Sequence, residues 1–440
     1  MVKITLMPGC AKKNKDMNFN FSKKIEKKET NYIIHNNGYG KINKPVITSS
    51  NGSFLKSISG EKYFDPGLGA GSQILGYSNK QITDAIKNQI EKGSIYLQNN
   101  LNIQSFTKKL TEILPSQFTN FIYCNSGSEA TQRALRIARV ATCRKKIAYF
   151  HGGWHGMNEW TMNNDGERFG KFFIPKEDGI PKILKKNSIL LPYNDDKAFE
   201  IIKSNSNELA CIIVEPVQGS NPRNNITNFL NKIQQTCKEF DILFILDEII
   251  TGFRLGIGGA SKLWDLHPDI TTYGKIIGGG LPIGLVSLTN EIALRSFGDK
   301  NKYVPTGGTF SANPLVATAG LSVLNILDTK DYNYINQLGE LMRNMVSSFN
   351  KKHGIPLSVI GTNSISRIVF TDQKFKNRKE RDYLEKGTQN KQIEFRKKML
   401  DKKILWPNNG ILFTGFCNTK NQIENLAGKI NETSYEVFMN

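Results

Sequence analysis

Lys275 stands in the segment TYGKIIGGG at 272–280, flanked by glycine and isoleucine. An ammonium group with so few polar neighbours is disfavoured when buried. Its pKa falls, and the free amine can attack a carbonyl carbon to form a Schiff base. A lysine on a solvated loop would do no such chemistry, and Asp247 separates the two readings. It closes the apolar run ILFIL at 242–246. A carboxylate at the end of a buried strand, upstream of a lysine on a glycine-rich loop, matches what pyridoxal phosphate requires: an amine to hold the aldehyde and an acid to keep the pyridine nitrogen protonated.

A third group follows from NSGSEAT at 125–131, which opens a helical pattern over 128–140 carrying Ala130, Ala134, Leu135, Ile137 and Ala138. Free backbone N–H groups at a helix start, with hydroxyls and a glycine allowing close approach, suit a phosphate dianion. Taken alone the segment is more simply a well-capped helix, and it is the further segments below that favour the phosphate. The elements that must position these groups alternate along the chain. Residues 53–65 read as a β-hairpin turning at Ser59 and Gly60, and 79–92 as an amphipathic helix. The runs at 146–150, 209–214 and 242–246 are short and continuously apolar, as in a parallel sheet buried on both faces, with the chemistry beyond the carboxyl ends of its strands. From about Ser322 the pattern becomes helix plus short strands, including 366–370 and 411–413, a smaller α+β unit.

The 440 residues suffice for one large and one small domain. The formal charge of +20 is spread over scattered lysines with no arginine-rich stripe, so a solvated surface is expected rather than a nucleic-acid partner. Six cysteines show neither CxxC pairs nor histidines at ligand spacing, which predicts no metal site, no disulfide framework and a reducing cytoplasm. No apolar run reaches the roughly 20 residues of a membrane helix. Residues 1–31 are lysine-rich and predict a flexible basic arm; 32–78 form an N-terminal segment joining the small domain, 79–324 the large domain, and 325–440 the C-terminal small domain.

Four further segments occur in order with those above: FHGGWHG at 150–156, IVEPVQG at 213–219, LDEIITGFR at 246–254 and GGTFSANP at 307–314. Together they resemble the class III pyridoxal-phosphate aminotransferases, and within that family the glutamate-1-semialdehyde aminomutases most closely. The resemblance implies fold type I, with a large domain built on a mostly parallel, seven-stranded-type sheet and a smaller α+β domain. It also implies a homodimer with active sites at the subunit interface. By the same resemblance Lys275 is the Schiff-base lysine and proton shuttle, and Asp247 the pyridinium partner. Ser126, Gly127 and Ser128 make the phosphate loop, and Thr309 reaches the phosphate from the neighbouring subunit. Trp154 stands where the family stacks a Tyr or Phe on the ring. Glu215 and Arg254 are expected in structural contacts.

The departures gather around the substrate. Ala70, in GLGAG at 67–71, falls where the aminomutases carry a tryptophan, which predicts a wider pocket. Their N-terminal arginine has no counterpart between 32 and 40; His35 or Lys41 are the nearby substitutes, and neither reproduces a bidentate grip. Leu412 or Phe413 replaces an acidic residue, Ser220 replaces an asparagine near the cofactor, and Arg367 is a candidate anion contact. The cofactor half is complete and the substrate half rewritten. The expectation is a transaminase acting on an amino donor and a keto or aldehyde acceptor, polar and bulkier than glutamate semialdehyde. Alternatives are a glutamate-1-semialdehyde-type aminomutase and a non-catalytic binding protein that keeps the fold.

Overall fold

Strands too apolar to face water are stacked at the centre of the protein. The computed structural model describes residues 45–162, 180–224 and 226–439. Thirteen strands are described: β1 (Ile47–Asn51), β2 (Phe54–Ser57), β3 (Lys62–Phe64), β4 (Phe118–Cys124), β5 (Lys146–Phe150), β6 (Ser188–Leu191), β7 (Leu209–Val214), β8 (Leu243–Asp247), β9 (Ile270–Gly274), β10 (Gly284–Thr289), β11 (Ser358–Thr362), β12 (Ile365–Val369) and β13 (Ile411–Phe413). Seven of them form one sheet in the order β4-β10-β9-β8-β7-β5-β6. Every residue of β7, β8 and β9 is buried, as expected of strands covered on both faces.

The sheet is mostly parallel, with β10 antiparallel to both β4 and β9. Chain length explains the exception. A parallel return needs a crossover of a dozen or more residues, and only residues 275–283 separate β9 from β10. This short return begins with Lys275, on a 3-10 turn at Lys275–Gly278 rather than the open loop the sequence suggested. β4, β6, β9 and β10 were not read from sequence, because their polar residues break the apolar signature.

The helix Gly127–Thr142 packs on the sheet through the anticipated face: Ala134, Leu135 and Ile137 share a cluster with Ile147, Ile213, Ile245 and Val286. A second sheet, β11-β12-β13, is antiparallel throughout and is covered by the helices Tyr332–His353 and Lys420–Phe438. The expected hairpin is β2–β3, extended by β1. Phe64 of β3 lies in the same cluster as Leu412 and Trp406, and its backbone bonds Lys403 and Leu405. The boundary expected at 324/325 falls within the helix Pro314–Leu327. The basic arm lies outside the described residues. Among them, no helix is long and apolar enough to cross a membrane.

Candidate active site

Adjacent parallel strands bring their carboxyl ends side by side, so residues distant in sequence meet there. β5 leads into the segment 151–156, β7 into Glu215, β8 ends in Asp247, and β9 delivers Lys275. β4, on the far side of β10, leads into Asn125 and the start of the helix Gly127–Thr142. These ends surround a cavity of about 390 Å³ whose walls include Ser126, Gly127, Ser128, Trp154, Glu215, Asp247 and Lys275.

Asp247 is held from three sides. Its Oδ2 lies 2.6 Å from His155 Nδ1, and its Oδ1 accepts from Thr272 Oγ1 at 3.0 Å and from the Ile249 amide at 3.2 Å. Both Asp247 and His155 are buried. His155 is itself steadied by Thr131 Oγ1, which donates to its carbonyl at 2.7 Å. An acid with so many donors is fixed in orientation.

Lys275 adopts φ +47°. A lysine in that left-handed region is uncommon and costs backbone energy, which the surrounding strands must offset. Burial lowers its pKa below the usual lysine value, while Asp247 and Glu215 act in the opposite direction. Glu215 accepts from the Trp154 amide at 2.8 Å and the Gly219 amide at 3.3 Å. Burial pushes its carboxyl up to about 7, with His155 lowering it and Asp247 raising it.

Ser126 caps the Gly127–Thr142 helix by accepting from the Glu129 amide at 3.2 Å, and the Ala130 amide bonds Ser126 O. Gly127 and Ser128 line the cavity, and as the first residues of the helix their amides have no partner within it. Ser128 Oγ accepts from the Met157 amide at 3.0 Å, tying this turn to the Trp154 segment. The approach is close: a Cβ on Gly156, at φ +76°, would lie 2.4 Å from Ser128 Oγ.

The remaining expected site residues are placed as follows. Ser220 does not line the cavity; its hydroxyl donates to Gly152 O at 2.7 Å, because the turn after Gln218 directs it at the segment beneath Trp154. Ala70 is exposed, and the neighbouring loop residue that reaches the cavity wall is Ser72. Leu412 and Phe413 are buried away from it, the Phe413 ring sitting against Gly71 and under Arg254. Arg367 donates to the Asn409 carbonyl. Thr309 is exposed and outside this cavity wall. His35 and Lys41 lie outside the described residues. Glu215 and Arg254 make backbone contacts, Arg254 donating to Thr414 O at 2.8 Å and Gly71 O at 2.7 Å.

Sequence reasoning missed His155 and Thr272. His155 was visible in FHGGWHG, but no spacing rule connects it to an aspartate 92 residues away. Thr272 precedes Lys275 by three positions, and only strand geometry turns it toward Asp247.

Residues 34–399 match the family model described as aminotransferase class-III. A glutamate-1-semialdehyde 2,1-aminomutase of Methanocaldococcus jannaschii is 34% identical over 376 residues, covering 81% of this chain and 84% of that protein. One of Methanobrevibacter smithii is 36% identical over 330 residues, covering 74% and 76%. Among solved structures, an omega-transaminase from Sphaerobacter thermophilus superposes with a TM-score of 0.84 at 23% identity, over 98% of each chain. A glutamate-1-semialdehyde-aminomutase from Pseudomonas aeruginosa PAO1 gives 0.83 at 19%, over 97% of each. The fold is that of the pyridoxal-phosphate fold type I enzymes.

Proposed function

Because this chain belongs to the class-III aminotransferase family, we propose that it transfers an amino group between a small-molecule donor and a keto or aldehyde acceptor that is polar and bulkier than glutamate semialdehyde. The family's cofactor is pyridoxal phosphate, and the cavity fits it. Lys275 and the Asp247–His155 pair share one wall region, and the helix-start amides of Gly127 and Ser128 share the same space. When bound, the pyridoxal ring supplies an electron sink that labilises the proton on the substrate carbon.

Each residue then has a defined task. The Lys275 amine, its pKa lowered by burial, holds the aldehyde end and afterwards carries the proton at Nζ. Asp247 holds the proton on the ring nitrogen, and His155, Thr272 and the Ile249 amide keep it aimed. Trp154 covers a ring face and limits water. Gly127 and Ser128 orient the phosphate, with Ser126 setting the helix start. Thr309, exposed on this protomer, serves the phosphate site of a second copy in a homodimer.

The carrying observation for amino transfer to a bulkier substrate is the cavity wall itself: its described residues include no arginine to receive a substrate carboxylate. The aminomutase is the second reading, favoured by the names of the curated relatives. Retention of fold without turnover is opposed by Lys275 and Asp247 meeting in one cavity. A screen of amines against the holoenzyme decides between the first two: a transaminase consumes added donor in proportion to product, whereas an aminomutase turns over one substrate with none. Borohydride treatment and peptide mapping should find the phosphopyridoxyl group on Lys275; a label on another lysine overturns the assignment.

A further inference from the structure

The cavity wall is built from segments that begin at Asn125, and among the described residues the chain before them contributes one residue, Ser72. An unusual turn carries it there. Leu68, Gly69, Ala70 and Gly71 have φ of +43°, +59°, +55° and +85°, successive residues in the left-handed region. Two of them bear a side chain, for which that conformation costs backbone energy. Such strain persists only where the surroundings over-determine it, and here they do. Asp65, itself buried, accepts from the Gly67 amide at 2.8 Å, the Gly69 amide at 3.1 Å and Tyr77 Oη at 2.6 Å. Leu68 is fully buried, Arg254 donates to Gly71 O at 2.7 Å, and the Gln73 amide closes the turn on Leu68 O at 3.0 Å.

The turn also fixes what the Ser72 hydroxyl can offer. Oγ donates its hydrogen to Gly69 O at 2.8 Å in an exposed bond, so it is left to accept, and Gln73 Nε2 approaches it only at the long distance of 3.4 Å. Gln73 Nε2 would in turn lie 3.3 Å from a Cβ on Gly280, another residue of the wall. Ser72 and Gln73 therefore stand against the return that begins with Lys275. An acceptor there suits a substrate hydroxyl, which can donate; a carboxylate can only accept and gains nothing from it. Beside them the wall is apolar, with Leu281, Pro282 and Ile283 from the return and Ile249 and Ile250 from the turn after β8.

We propose that Ser72 is a specificity-determining residue whose Oγ accepts a hydrogen bond from a hydroxyl group of the substrate, and that the substrate is a hydroxylated amine or carbonyl compound with an apolar carbon face. The strained turn aims the hydroxyl. The inference rests on the amino-transfer reading above and names a substrate class for it.

Calorimetry on the holoprotein tests it with amines that share one ring: cyclohexylamine, the isomeric aminocyclohexanols, and the aminocyclohexanecarboxylates of the same substitution patterns. At least one aminocyclohexanol should bind about 3- to 10-fold tighter than cyclohexylamine, the span of one hydrogen bond, and no carboxylate should bind tighter than cyclohexylamine. Ser72→Ala should bring the alcohol-to-parent ratio to about one, and Ser72→Thr, which keeps the hydroxyl, should restore it. Equal binding of cyclohexylamine and every aminocyclohexanol to wild type overturns the proposal without recourse to a variant. A preference that survives Ser72→Ala overturns it as well. Absorbance of the bound cofactor judges the underlying reading separately. A hydroxyl preference erased by Ser72→Ala, with no amine of the donor screen converting the cofactor to its pyridoxamine form, would keep the recognition and overturn amino transfer.

Discussion

At the residue scale, orientation decides what a charge can do. Asp247 is gripped by His155, Thr272 and the Ile249 amide, so an amide replacement keeps its shape while removing its charge. Asp247→Asn should therefore retain cofactor but slow turnover by about 10³-fold, about 4 kcal/mol of barrier. Single-turnover kinetics on the loaded enzyme check this, and unchanged turnover would place the ring-nitrogen partner elsewhere. Lys275 and Asp247 were legible in the sequence because a lysine among apolar residues and an acid ending a buried run are each locally unusual. His155 was not, since its role depends on β5 and β8 lying one strand apart around β7, a relation no local pattern encodes.

At the scale of elements, the helix Gly127–Thr142 and the segment that follows β5 form, as one unit, the end of the cavity proposed to take the phosphate. Ser128 Oγ receives the Met157 amide, and Gly156 passes so close that a methyl group there would lie 2.7 Å from Ser128 Cα as well. Gly156→Ala adds a side chain at φ +76° and should push the two elements apart, costing about 2 kcal/mol. At about 1.4 kcal/mol per decade, pyridoxal phosphate affinity should fall at least tenfold; titration of the apoenzyme measures it, with wild-type affinity as the contrary result. The antiparallel β10 belongs to this scale too. Its return is too short for a crossover, so the chain turns sharply just where the lysine must project into the cavity.

Across the whole molecule, distant segments are pinned by a few buried contacts. Arg254 is fully buried, and burial lowers its pKa to about 10. It bonds Gly71 O and Thr414 O and lies 4.9 Å over the Phe413 ring, joining the turn after β8 to both chain-terminal segments. Arg254→Met keeps the bulk but strands two carbonyls, and should lower stability by about 2–3 kcal/mol in denaturant unfolding. The substrate prediction also belongs here. With no arginine among the described wall residues, glutamate-1-semialdehyde should lose an ion pair worth about 2–5 kcal/mol, about 30- to 1,000-fold or more in kcat/KM. A measured kcat/KM within about 10⁴–10⁸ M⁻¹s⁻¹ would transfer the assignment to the aminomutase. From sequence alone came the alternation of buried strands and helices, the face of the Gly127–Thr142 helix, and the segments of Lys275, Asp247 and Ser126 to Ser128 that meet at one cavity, all of which stand out by local composition and period. The tertiary structure decided the rest: that β10 runs backwards, that Ser72 rather than Ala70 meets the cavity, that Ser220 turns to Gly152, and that His155 and Glu215 stand beside Asp247. Those outcomes depend on which strands are neighbours and on how each turn aims its side chains, and both are settled only when the whole sheet packs.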